Sequence, residues 1–224
     1  MRVGVARGHR RYLENARVAW PGTALVAAVL LAGCSGTQGG SASSPSGTAS
    51  PPSAAERSAE VALELQAAVD EASAYATSQG IAAGIAVIDR ELGTEVVNAA
   101  AGTAVRTASL VKLFIADNLL QRQRSGEFQL SAQDAALIEL MLTSSDDSAA
   151  DSLYARFGQE AMVIEVAQRY GLSSVTPAST PGEWELSWVS AVDVARYYDL
   201  VLSQMPAVDR DYIVGLLRRI SPIA

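Results

Sequence analysis

The chain has 224 residues, 49% of them hydrophobic, and a formal net charge of −7. That is enough for one domain of good size plus a targeting segment, and the acidic balance argues against nucleic acid and anionic lipid headgroups as partners. Histidine, cysteine and lysine occur once each, as His9, Cys34 and Lys112.

At the N-terminus, Arg2, Arg7, Arg10, Arg11 and Arg17 form a basic start, followed by the apolar run "ALVAAVLLA" from Ala24 to Ala32. The run is too short to span a bilayer as a permanent helix. It ends in "LAGC", Leu31 to Cys34, which resembles the lipobox of bacterial lipoprotein signals. The resemblance implies a signal peptide over residues 1–33, cleavage before Cys34, and lipidation of Cys34 with palmitate-type chains. A secretory signal with an incidental cysteine is the alternative, and "HRRYLE" allows a twin-arginine export route. Cleavage would leave 12 cations and 23 anions, a net of −11, and would remove His9. A mature chain without histidine or free thiol excludes a Ser-His-Asp triad, a Cys-His dyad and a histidine metal site. A hydrolase built on it must take its base from a carboxylate, a tyrosine or Lys112. Membrane contact would come from the acyl anchor, and a hydrophobic core without disulfides would hold the fold.

Residues 34–55 are small, polar and rich in Pro and Gly, a composition that predicts a flexible tether. Val61, Leu65, Val69, Ala72 and Ala76 recur at helical spacing and predict a helix from Ala55 to Gln79, ended by Gly80. "IAAGIAVIDR" and "TEVVNAA", joined at Arg90 to Gly93, predict a β-hairpin. Helices follow: a buried one over Leu110–Gln123, one capped at Ser131–Asp134 and running to Leu142, one over Ser148–Phe157, and one ended by Gly171. Leu172 to Trp188, with Pro177 and Pro181, reads as irregular. Ser190 to Asp193 caps a helix through Leu202, and the last helix is expected over Asp209–Ile220. The order predicts an α+β domain over residues 56–224, mostly helical, with a central buried helix packed on an antiparallel sheet. One hairpin is not a stable sheet by itself, so either helices cover it or the chain is a fragment; the second is the expectation, a truncated domain with its C-terminal strands missing from this chain.

"TASLVKLF", Thr107 to Phe114, holds the single lysine three residues after Ser109. Residues three apart share a helix face, so the hydroxyl and the amine project together. Apolar neighbours make an ammonium costly there, which favours the free amine. An amine can be a base, whereas a guanidinium stays protonated. The unpaired amides of the first helical turn could also stabilise an oxyanion on an acylated Ser109. An N-cap serine with an incidental lysine is the plainer reading of the same residues.

The second element is "TSSDDSAADSLY", with Ser145, Asp146 and Asp147 at a helix-to-helix turn. S-x-x-K on a buried helix followed by S-D-N on an adjoining turn is the pattern of serine β-lactamases and penicillin-binding proteins. The chain resembles that superfamily, in a class A-like, actinobacterial lipoprotein-type branch, from about residue 57 to residue 224. The resemblance implies acylation of Ser109, with Lys112 as base and Ser145 passing a proton to the leaving nitrogen. The third motif residue, which would contact the substrate amide and the lysine, is Asp147 in place of Asn. A carboxylate there would hold the lysine's proton and oppose the base role. Glu185 follows Trp184, as the deacylating glutamate follows tryptophan in many class A enzymes; Glu183 is its neighbour. A K-T-G motif is not present. The implied function is a membrane-anchored hydrolase of β-lactam or D-Ala-D-Ala-type amides, needing no cofactor or metal and expected to be a monomer. The alternatives are an inactive envelope lipoprotein that binds peptidoglycan fragments or a protein partner, and a serine esterase or amidase unrelated to β-lactams.

Overall fold

The computed structural model describes residues 53–220 and the backbone of the strand Thr23–Leu30. His9, Cys34 and residues 35–52 of the tether lie outside the described residues. The strand β1 (Thr23–Leu30) comes first, then the helix α1 (Ala54–Ser78). Ser53 caps α1 and Glu56 returns the bond to the Ser53 amide, a reciprocal capping box. The hairpin follows as β2 (Ala82–Asp89) and β3 (Thr94–Val97), antiparallel, with Gly93 in its turn at φ 67°.

β2 is the centre of the sheet. Val87 and Ile85 face Val69 of α1, while Ala86 and Ile88 face Ala191 and Ala195. Burial on both faces explains why "AAGIAVID" reads as a continuous apolar run and not as an alternation. Gly84 is required at a close approach, since a Cβ there would meet the Ala100 carbonyl oxygen at 3.0 Å. On α1, Leu65, Val69 and Ala76 carry the packing, whereas Ala72, assigned to that face from the sequence, is exposed.

The other edge of β2 is not open: β1 pairs with it in parallel, from Thr23↔Ala82 to Leu30↔Asp89. The β2–β3 pair is the antiparallel part of the sheet; seven of the eight β1 residues, 24–30, lie in the run read as the core of an export signal. Cleavage before Cys34 would take this strand away from the sheet.

After the hairpin come β4 (Val105–Arg106), a 3₁₀ turn (Ala108–Leu110) and α2 (Val111–Arg124). Every residue of α2 from Val111 to Leu120 is buried, which accounts for its lack of an amphipathic pattern. Around it stand α3 (Ala132–Thr143), α4 (Asp147–Phe157) and α5 (Glu160–Tyr170). The chain ends with a 3₁₀ turn (Trp184–Leu186), β5 (Trp188–Val189), α6 (Ala191–Ser203) and α7 (Ala207–Leu217). The last helix thus begins two residues earlier than expected, at the turn set by Pro206, and ends three earlier. β4 and β5 pair antiparallel, a contact the sequence does not signal because two-residue strands carry no readable alternation.

α2 also carries buried polar groups. Asp117 is paired with Arg169 of α5 at 2.5 Å and accepts a bond from the Tyr197 hydroxyl of α6 at 3.3 Å. Burial raises its carboxyl above the ordinary aspartate value, and the Arg169 charge opposes the rise. Phe114 meets Tyr197 edge-on at 4.8 Å and Arg124 pairs with Asp209 of α7 at 2.8 Å, so aromatic and ionic contacts fix α2 against its neighbours.

Candidate active site

Four elements converge on Lys112. The short β4–β5 ladder holds the approach, and the Thr107 amide bonds the Ser187 carbonyl at 2.8 Å. Ser109 stands exposed in the 3₁₀ turn, immediately before α2. Lys112, in the first turn of α2, is 2% exposed. Ser145 follows the end of α3, and Asp146 caps α4 by accepting from the Ala149 amide at 2.7 Å. Asp147 is the first residue of α4.

The Lys112 Nζ lies 2.6 Å from the Ser145 carbonyl oxygen, 3.0 Å from Ser145 Oγ, 3.3 Å from Ser109 Oγ and 2.6 Å from Asp147 Oδ1. The Ser145 hydroxyl donates to Ser109 Oγ at 2.9 Å. An ammonium has three N–H groups for these four oxygens, so the two hydroxyls share one. A neutral amine would instead offer its lone pair to the Ser109 proton at the same 3.3 Å. The cluster can therefore exist in a resting, protonated arrangement and in one where Ser109 is ready to lose its proton. The indole of Trp184 forms a wall, its ring 5.1 Å from Nζ and its Nε1–H donating to Asp151 Oδ1 at 2.8 Å.

The backbone is strained at this place. Among the described residues, three that are not glycine have positive φ: Ala108 (45°), Ser145 (52°) and Gln159 (54°). Ala108 precedes the candidate nucleophile, and Ser145 supplies two contacts to Lys112. Such conformations cost about 1–3 kcal/mol each and persist where the surroundings impose them, typically at functional sites.

The structure thus brings together Ser109, Lys112, Ser145 and Asp147. It does not bring the Glu185 side chain into their hydrogen-bonded cluster. Glu185 is exposed, and its backbone carbonyl receives the Thr107 hydroxyl at 3.5 Å. Its charge does reach Tyr154 of α4. Burial chiefly, then the charges of Glu160 and Glu185, push the Tyr154 hydroxyl above its ordinary range. Tyr154 therefore stays protonated at neutral pH and is no base. Sequence reasoning missed Asp151 and the role of Trp184. The spacing of Asp147 and Asp151, one helical turn apart, was the available signal for the first. Two surface clefts, of about 450 Å³ beside α1 and about 260 Å³ between α6 and α7, are lined by none of these residues. Among the described residues no group of three His, Cys, Asp or Glu is gathered as for a metal ion, and no helix is long and apolar enough to cross a membrane.

Comparison with solved structures decides the fold. The class A β-lactamase from Mycobacterium abscessus matches with a TM-score of 0.52 at 20% identity, over 62% of this chain and 65% of the enzyme. A β-lactamase from Chitinophaga pinensis matches at 0.55 and 12% identity, over 62% and 64%. An ancestral class A β-lactamase matches at 0.52 and 18%, over 62% and 66%. The domain has a β-lactamase-like fold. Identities this low speak for the fold alone. In sequence, the chain is 41% identical over 153 residues to the proteins named lipoprotein LppW of Mycobacterium tuberculosis and Mycobacterium bovis. The match covers 68% of this chain and 48% of theirs, so the chain spans about half the length of the curated relatives it matches. No family model matches.

Proposed function

We propose that the domain, residues 56–224, acts by acylation of Ser109 in a protein anchored to the outer face of the cell membrane through lipid on Cys34. The observation that carries this reading is the shared coordination of one buried amine by both hydroxyls, with Ser145 also bonded to Ser109. A positioned hydroxyl, a base and a relay are the parts of nucleophilic catalysis. Ser109 Oγ attacks the carbonyl of a β-lactam or D-Ala-D-Ala-type amide. Lys112, as the free amine, takes the serine proton, and Ser145 delivers a proton to the leaving nitrogen. Glu185 is the group proposed to activate the water that releases the acyl-enzyme, after movement of its side chain or through a water. The proposed protein needs no cofactor and acts as a monomer. The β-lactamase-like fold, and a relative named as a lipoprotein, support the enzymatic and the envelope parts of the reading in turn.

A second reading has its own observation. Lys112 Nζ lies 2.6 Å from Asp147 Oδ1, an ion-pair geometry in which the lysine serves as a hydrogen-bond donor and not as a base. On that reading the domain is an inactive envelope module that binds peptidoglycan fragments or a protein partner. Incubation of the chain with a fluorescent penicillin separates the two. Acylation predicts a labelled band that Ser109→Ala abolishes; a wild-type chain that takes up no label favours the binding module.

A further inference from the structure

Asp147 is unlike the other members of the cluster. It is 75% exposed, and only its Oδ1 is engaged, by Lys112. Among the described residues Oδ2 has no hydrogen-bond partner. A carboxylate accepts hydrogen bonds and donates none, so a substrate group that meets Oδ2 must bring a donor.

The surroundings have the same sign. Asp151 lies one turn along the same face of α4 and is exposed, and Trp184 ties it to the 3₁₀ turn that presents Glu185. The nearby cations are committed. Lys112 is buried and paired, and Arg106 is held over the Trp188 ring at 4.0 Å and bonded to the Leu186 carbonyl.

The geometry sets how far the donor sits from the reacting carbon. Nζ lies 3.3 Å from Ser109 Oγ and 2.6 Å from Asp147 Oδ1, so these two oxygens are no more than about 5.9 Å apart. Oδ2 belongs to the same carboxylate as Oδ1, so a carbonyl under attack by Oγ can carry, a few bonds away, a group seated on Asp147. We propose, resting on the acylation of Ser109, that the preferred acyl donors carry a free amino group on the carbon next to the scissile carbonyl, docked on Asp147 Oδ2. The substrate class is aminoacyl and amino-terminal peptidyl units. In the step, the Ser109 Oγ–carbonyl bond forms and the bond from that carbonyl to the leaving atom breaks. The serine proton leaves through Lys112 or Ser145 and ends on the leaving group, so the leaving group departs neutral.

The test compares alanine p-nitrophenyl ester with its N-acetylated form at pH 6.5, in wild-type, Asp147→Asn and Ser109→Ala chains, the last giving the background. The burst of p-nitrophenol and the acyl adduct by intact mass are measured. The wild type is expected to acylate about tenfold faster with the free amine, a preference that shrinks as salt rises. Asp147→Asn, which can donate, should bring the ratio near one. An N-acetyl ester that reacts as fast or faster in the wild type overturns the proposal, as does a ratio unmoved by Asp147→Asn. No adduct from either ester overturns the acylation of Ser109 and this proposal with it, a result distinct from an adduct with the wrong preference.

Discussion

Replacing Lys112 by Met separates chemistry from folding. The side chain is 2% exposed and its ammonium makes an ion pair with a carboxylate that is 75% exposed. Removing one partner of a fully buried pair costs about 3–5 kcal/mol, because the other charge is left uncompensated. Here the charge left behind, Asp147, is already mostly in water, so that penalty does not apply. The Ser145 carbonyl loses its 2.6 Å donor, but Ser145 is exposed and water can replace it. Ser109 and Ser145 keep their 2.9 Å bond. Methionine is of similar length and fills the apolar stem's place beside Trp184. Ending the desolvation of a buried ammonium then outweighs the lost contacts, and the variant should gain about 1 kcal/mol. For a domain of this size that raises Tm by roughly 2–4 °C. Thermal unfolding followed by circular dichroism reads the shift, and penicillin labelling of the same sample reads the loss of acylation. A variant that loses more than about 1 kcal/mol would refute the reasoning. It would mean that Lys112 holds the turns together and is not kept for chemistry.

Other expectations follow from the same geometry. Phe114→Ala, at a fully buried position against Tyr197, should cost about 3–5 kcal/mol in chemical denaturation. Burial acts to raise the Asp134 carboxyl, but the Ser131 hydrogen bonds and Arg156 outweigh it and hold it below its ordinary value. Its stabilising contribution is therefore present above the unfolded-state value of 3.8 and is lost as pH falls through the lower folded-state value. Unfolding scans between pH 2 and 5 should show a shallower acid limb for Asp134→Asn; an unchanged limb would count against this. Glu185→Gln should leave Ser109 labelling intact but lengthen the life of the adduct by about 10²-fold or more, read by mass spectrometry over time. An unchanged lifetime would remove Glu185 from deacylation.

The sequence made the candidate nucleophile and its amine partner legible for a simple reason. Ser109 and Lys112 are three residues apart at the start of an apolar run, and the structure places them within 3.3 Å. Ser145 and Asp147 were legible as a motif, since both stand at a turn marked by the N-cap Asp146. The capping boxes at Ser53 and Ser131 concern short local contacts, and the one at Ser131 was expected. What stayed hidden depends on distant parts of the chain. The positive φ of Ala108 and Ser145 has no signature in residues other than glycine. Trp184 and Asp151 meet across 33 positions of sequence. The pairing of β1 with β2 was hidden because a short apolar run reads the same as a leader core and as a strand along an apolar edge.

The central claim is that Ser109 forms a covalent acyl intermediate. Intact-mass and peptide mass spectrometry of the chain after exposure to benzylpenicillin tests it most directly. The expected result is one added penicilloyl group, localised to the peptide holding Ser109 and absent from Ser109→Ala. An unmodified wild-type mass at saturating penicillin, or an adduct on another residue, would contradict it.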